Sequence, residues 1–115
     1  MNNRDAGSLW DMVQAIEEIQ EHVKGLTYND FQDSRLVRRA VERCFEILGE
    51  AARRISPELQ SQHPDIRWRE VIGLRNVLAH QYESVRYEVL WDVIMEDLPV
   101  LKPKLNRLLP SIEEP

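Results

Sequence analysis

Apolar side chains in this chain return at every third or fourth residue, while Gly and Pro stand mostly between such runs. A period near 3.6 buries one stripe of a helix, whereas a half-buried strand needs a period of two. That spacing points to helices packed on helices. Leu9, Met12, Val13, Ile16, Ile19 and Val23 mark an amphipathic helix from about Ser8 to Lys24, with Ser8 as N-cap and Gly25 as terminator. The polar stretch Leu26 to Asp33 reads as a linker. A longer periodic run follows from about Ser34 to Ile55: Val37, Ala40, Val41, Cys44, Phe45, Leu48, Ala51, Ala52 and Ile55. Its small residues Ala40, Gly49, Ala51 and Ala52 let another helix come close.

Ser56-Pro57 opens a short helical turn that His63-Pro64 ends. Asp65 caps a third helix to about His80, with Trp68, Val71, Ile72, Leu74 and Leu78 on its apolar face. Ser84 starts a fourth, carrying Val85, Val89, Leu90, Val93, Ile94 and Leu98. Pro99 kinks or restarts it, because its ring removes a donor and crowds the preceding turn. Leu101, Leu105, Leu108 and Leu109 continue the pattern, and the tail from Pro110 is expected to fray. The expected fold is all-α: an antiparallel bundle of four main helices, with a short extra turn and a Pro-kinked last helix.

At 115 residues the chain is expected to form a single domain spanning 1–115. Fifteen basic against twenty acidic residues leave a net charge of −5, which excludes a bulk basic nucleic-acid binder. The average conceals an asymmetry. Residues 34–75 hold nine basic and six acidic residues, net +3; the rest holds six and fourteen, net −8. Twelve of the fifteen basic residues are Arg, whose planar fork suits phosphate better than an ammonium does. No run approaches the roughly 20 apolar residues of a membrane span. A single cysteine, Cys44, cannot make an internal disulfide and lies on an apolar stripe, where it reads as an inert core thiol. A cytoplasmic location is expected.

There is no glycine phosphate loop and no nucleophile elbow. His22, His63 and His80 fall on three elements, so neither a metal site nor any other cofactor is expected. The segment that stands out is Arg75-Asn76-Val77-Leu78-Ala79-His80-Gln81-Tyr82. One reading is a helix end whose dipole His80 complements, with Tyr82 packed on a neighbour. On an ideal helix Arg75 and His80 lie about 140° apart, so they converge only if the helix unwinds or a second copy supplies a partner.

An Arg followed by a polar residue, with a His four residues further on and a Tyr two beyond it, resembles the motif of HEPN ribonuclease domains. It looks like that of the HepT-like toxins of HepT/MntA toxin–antitoxin pairs. Ala40-Val41-Glu42-Arg43 with Glu46-Ile47-Leu48-Gly49-Glu50-Ala51 resembles their second-helix signature, and the run Ile66 to Asn76 resembles the approach to their motif. The likeness extends from about Ser8 to Leu109.

The resemblance implies a metal-independent ribonuclease that cuts RNA by 2′-hydroxyl attack, at a composite site in a homodimer or an oligomer built from dimers. Arg75 and His80 would be the catalytic pair and Asn76 a supporting residue. Tyr82 would be the regulatory residue, to which a nucleotidyltransferase antitoxin transfers AMP from ATP. Arg39 and Arg43 would extend the phosphate-binding face by one helical turn. Glu42, Arg43, Glu46 and Glu50 would set helix pairing and the dimer contact. A second reading is a non-catalytic helical module that binds a nucleotidyltransferase or a nucleotide. The net negative charge favours it, because RNA affinity rests largely on phosphate neutralisation. A purely structural four-helix dimer would leave the combined motif to coincidence.

Overall fold

The computed structural model describes the backbone of residues 2–79 and 85–109 and the side chains of residues 2–75 and 87–109. Among the described residues every regular element is helical. The first helix, α1, runs Asn3–Val23, beginning five residues before the expected Ser8. The reason is local: the Asn2 side chain accepts from the Asp5 backbone N–H at 2.6 Å, and Asp5 puts a negative charge in the first turn. Ser8 is buried inside the helix instead of capping it. Gly25 terminates it as expected, at φ +78°.

The expected linker contains a helix. Thr27 and Asp30 form a reciprocal capping box that opens α2, Tyr28–Asp33, and the fully buried Phe31 anchors it. One deep aromatic in six residues is too short a pattern for periodicity to register. Ser34 then caps α3, Arg35–Arg53, and Ser56 with Pro57 opens α4, Pro57–Gln62. The next helix, α5, is Trp68–Ala79. Asp65 does not cap it. Its carbonyl accepts from Lys104 Nζ at 2.9 Å, while Trp68 Nε1 donates to the His63 carbonyl at 3.0 Å and fixes the entry of the chain.

After residue 84, α6 covers Val85–Asp92 and passes through a π-helical turn, Val93–Asp97, into α7, Leu98–Leu108. Pro99 sits in the first turn of α7, so it restarts the helix. The Leu98 N–H reaches back five residues to the Val93 carbonyl, and this wider turn accommodates the proline ring.

The core sits on both sides of α3. Along α1 three pairings run in opposite sequence order: Asp5 with Ser56, Asp11 with Arg54 and Glu18 with Cys44, so α1 and α3 are antiparallel. Leu9, Met12, Ile16 and Ile19 are fully buried in one cluster with Val41, Phe45 and Leu48. The other flank of α3 receives α5, and α7 lies along α1, where Lys102 meets Glu17 at 3.3 Å. Among the described residues no helix is long and apolar enough to cross a membrane. The expected start of the fourth helix at Ser84 and the fraying tail from Pro110 lie outside the described residues.

Candidate active site

The motif begins where α5 crosses α3, and the crossing depends on a missing side chain. A Cβ at the buried Gly49 would lie 2.6 Å from Arg75 Cγ, 3.2 Å from its Cδ and 3.4 Å from the Ile72 carbonyl oxygen. The aliphatic stem of Arg75 therefore lies where any other residue would put its side chain. The next residue along, Glu50, takes the head group: Arg75 Nη1 stands 3.2 Å from Glu50 Oε1. The stem is packed while the guanidinium, on a side chain 45% exposed, faces solvent.

Glu50 serves three arginines. Its Oε2 accepts from Arg53 at 2.6 Å and lies 3.7 Å from Arg54. The Arg53 hydrogen bond is the main cause that holds the Glu50 carboxyl below the usual carboxylate range. The charges of Arg53, Arg75 and Arg54 add to it and together outweigh partial burial. With Asp11 also 3.8 Å from Arg54, two carboxylates among three guanidiniums still leave the cluster positive, and Arg75 keeps further N–H donors for an anion. In a chain of net charge −5 this is a local positive site on α3 and α5.

Past the motif the chain is anchored again. Tyr87 of α6 packs edge-on against Phe31 at 6.2 Å, with Trp91 5.3 Å from Phe31 and Arg38 5.0 Å above the Tyr87 ring. Arg38 also donates to the Gln32 carbonyl. The chain is thus held on α3 at Arg75 and on α2 and α3 again at Tyr87. His80 and Tyr82 lie outside the described residues; Asn76 is on the described backbone of α5, its side chain outside.

Arg39 and Arg43 are exposed on α3. Counted along the helix from Glu50 they stand about 16 Å and about 10 Å away, so they do not join the Arg75 cluster by a single turn. Arg43 pairs with Glu46 at 3.3 Å. Glu50 pairs helices as expected, and its partner is Arg75 itself. Sequence reasoning missed Arg53 and Arg54 at this site. The signal was present in the i, i+3 and i+4 spacing of Glu50, Arg53 and Arg54, which places opposite charges on one face. Cys44 is buried, and burial together with the Glu18 charge pushes its thiol up to about 11, which suits an inert core residue.

Known proteins resemble this chain over most of its length. The family model for "Ribonuclease HepT-like" matches residues 12–108. The "Putative RNase MJ1380" of Methanocaldococcus jannaschii is 36% identical over 107 residues, 92% of this chain and 98% of that protein. The "Probable ribonuclease HepT" of Thermococcus cleftensis is 39% identical over 100 residues, 87% of this chain and 91% of that protein. No solved structure matches the chain. The shared span takes in both the crossing at Gly49 and the segment from Arg75 to Tyr82, and the chain belongs to the HepT-like ribonuclease family.

Proposed function

We propose that this protein is a metal-independent endoribonuclease toxin whose site is assembled from two copies of the chain. The observation that carries the reading is the Arg75 guanidinium, packed by its stem on Gly49, steered by Glu50 and open to an incoming anion. In the reaction a base takes the proton of a ribose 2′-hydroxyl, and the O2′–P bond forms as the P–O5′ bond breaks. An acid protonates the leaving 5′-oxygen, which leaves a cyclic phosphate and a 5′-hydroxyl. His80 suits both proton roles near neutral pH. Two copies divide the roles between two imidazoles, Arg75 stabilises the extra negative charge on phosphorus, and Asn76 supports it.

An outward stripe of α3, exposed at Arg39, Arg43 and Glu46 and half-buried at Glu50, supports the two-copy reading. Arg39, Arg43, Glu46 and Glu50 follow one another at helical spacing. Laid antiparallel against a second copy, the stripe sets Arg39 opposite Glu50 and Arg43 opposite Glu46. Tyr82 is the point of control: a nucleotidyltransferase antitoxin transfers AMP from ATP to its hydroxyl, with pyrophosphate leaving. The added phosphodiester repels the RNA phosphate from the cleft.

The test is expression of the chain alone, and with Arg75→Ala or His80→Ala. The expected result is growth arrest and RNA degradation by the parent, with cleavage reduced at least about 10²-fold by either substitution. Equal behaviour of all three overturns the nuclease in favour of a non-catalytic module that binds a nucleotidyltransferase or a nucleotide.

A further inference from the structure

The antiparallel pairing of α1 and α3 brings Arg4 to Arg53 and Arg54, some fifty positions away in the sequence. Arg4, in the first turn of α1, and Arg53 and Arg54, at the end of α3, line a cleft of about 370 Å³. Its acid is Asp5, and Asp5 is turned inward: it is 3% exposed, and its two oxygens accept from the Ser56 backbone N–H at 2.8 Å and the Ser56 hydroxyl at 2.6 Å. Arg54 is shared between Glu50 and Asp11, at 3.7 and 3.8 Å. Arg4 has no ion pair among the described residues, so one fork at the rim is free.

The cleft is continuous with the Arg75 site through one side chain. Glu50 Oε1 holds Arg75 while Glu50 Oε2 holds Arg53 and lies near Arg54. The two groups of guanidiniums are separated by the width of a carboxylate, a short step along a nucleic-acid backbone. A phosphodiester offers one negative charge and two acceptor oxygens, which match an arginine fork. We infer that the Arg4–Arg53–Arg54 cleft binds backbone phosphates of the RNA strand beside the linkage held at Arg75. The inference rests on the RNA substrate proposed above and adds a strand path: Arg75, then Arg53 and Arg54, then Arg4. It also reconciles a net charge of −5 with RNA binding, because the positive charge is gathered along that path.

The test uses the full chain and 2′-O-methyl RNA, which lacks the attacking hydroxyl and cannot be cut. Binding of a labelled dodecamer and of a dinucleotide is followed by fluorescence anisotropy across a salt series, with inorganic phosphate as competitor. Arg4→Glu is the main variant because its side chain is exposed; Arg54→Gln is the second. The expected result is about tenfold weaker dodecamer binding by Arg4→Glu, and a log–log salt slope shallower by about 0.7 for each phosphate no longer neutralised. Dinucleotide binding stays at the parent value. Unchanged dodecamer affinity and slope in both variants overturn the path. Equal weakening toward dodecamer, dinucleotide and inorganic phosphate also overturns it, leaving a pocket for a small free anion. Arg4-dependent binding of RNA that the parent never cleaves sinks the nuclease reading while upholding the cleft. Cleavage indifferent to Arg4 does the reverse.

Discussion

The two flanks of α3 share one core but differ at their edges. Toward α1 the seam is apolar and closed, with Val41, Phe45 and Leu48 fully buried in one cluster with Leu9, Met12, Ile16 and Ile19. Toward α5 the seam is mixed: Trp68 and Val71 are buried in the same core, but Gly49 omits a side chain, Arg75 lays its stem in the space, and the heads of Arg75 and Glu50 meet at the surface. The titratable groups move in opposite senses. Burial pushes the Cys44 thiol toward its neutral form, while Arg53 and its neighbours hold Glu50 charged. One helix thus uses its α1 flank for stability alone and its α5 flank both to extend the core and to present a cation. A chain of this size has room for only one core, so the charged site has to sit on the edge of the same element that holds the core together.

The comparison breaks most severely on the apolar side. Phe45→Ala removes a fully buried ring from the middle of α3. It is expected to lower unfolding free energy by about 3–5 kcal/mol, with cleavage lost only in proportion to the unfolded fraction. Denaturant titration reads the first and activity per folded molecule the second. A loss under about 1 kcal/mol would mean that the α1 flank is not what holds the bundle.

The next effect falls on the other flank. Gly49→Ala gains about 0.5–1 kcal/mol of helix propensity, yet its Cβ meets Arg75 Cγ at 2.6 Å. The atom it meets is near the root of the side chain, so the whole stem must leave its groove. Thermal stability is expected to stay within about 1 kcal/mol of the parent while RNA cleavage falls about tenfold, since small misplacements of a reacting group are costly. Parent-level cleavage by a folded Gly49→Ala chain would show that Arg75 does not need the crossing.

These contrasts mark what the sequence makes legible. The apolar stripes of α1 and α3, Gly25 as terminator and Pro99 as restart follow from spacing and backbone chemistry, and the closeness allowed by Gly49 follows from its size. The capped helix around Phe31 does not, because six residues carry less than two turns of pattern. The true start of α1 depends on a single hydrogen bond from the Asp5 N–H to Asn2, while Ser8 offered an equally good cap by residue type. Arg75 and Glu50 were both visible as residues, but their pairing is tertiary: no local spacing links position 50 to position 75. The Arg4 cleft is hidden for the same reason, since only the antiparallel course of α1 and α3 carries Arg4 to Arg53.

The smallest expected effect is the pH dependence of the fold, and it separates the flanks by sign. Cys44 has its thiol raised from 9.0 to about 11, so its contribution is whole below pH about 9 and is lost as pH rises toward 11. Glu50 is shifted the other way, so its contribution is whole above the ordinary carboxylate range and is lost as pH falls below it. Between these limits neither group changes charge, and stability is expected to be level with respect to both. Melting curves of the parent, Cys44→Ala and Glu50→Gln across the range separate the two. The difference between parent and Cys44→Ala should shrink only on the alkaline side, and that between parent and Glu50→Gln only on the acid side. Because Glu50 is partly exposed, its ion pairs are screened, and its difference should be the smaller and should fade with added salt. A Cys44 difference that stays constant from neutral pH to 11 would mean that the thiol ionises as freely in the fold as in the open chain. The α1 flank would then be wetter than its packing implies.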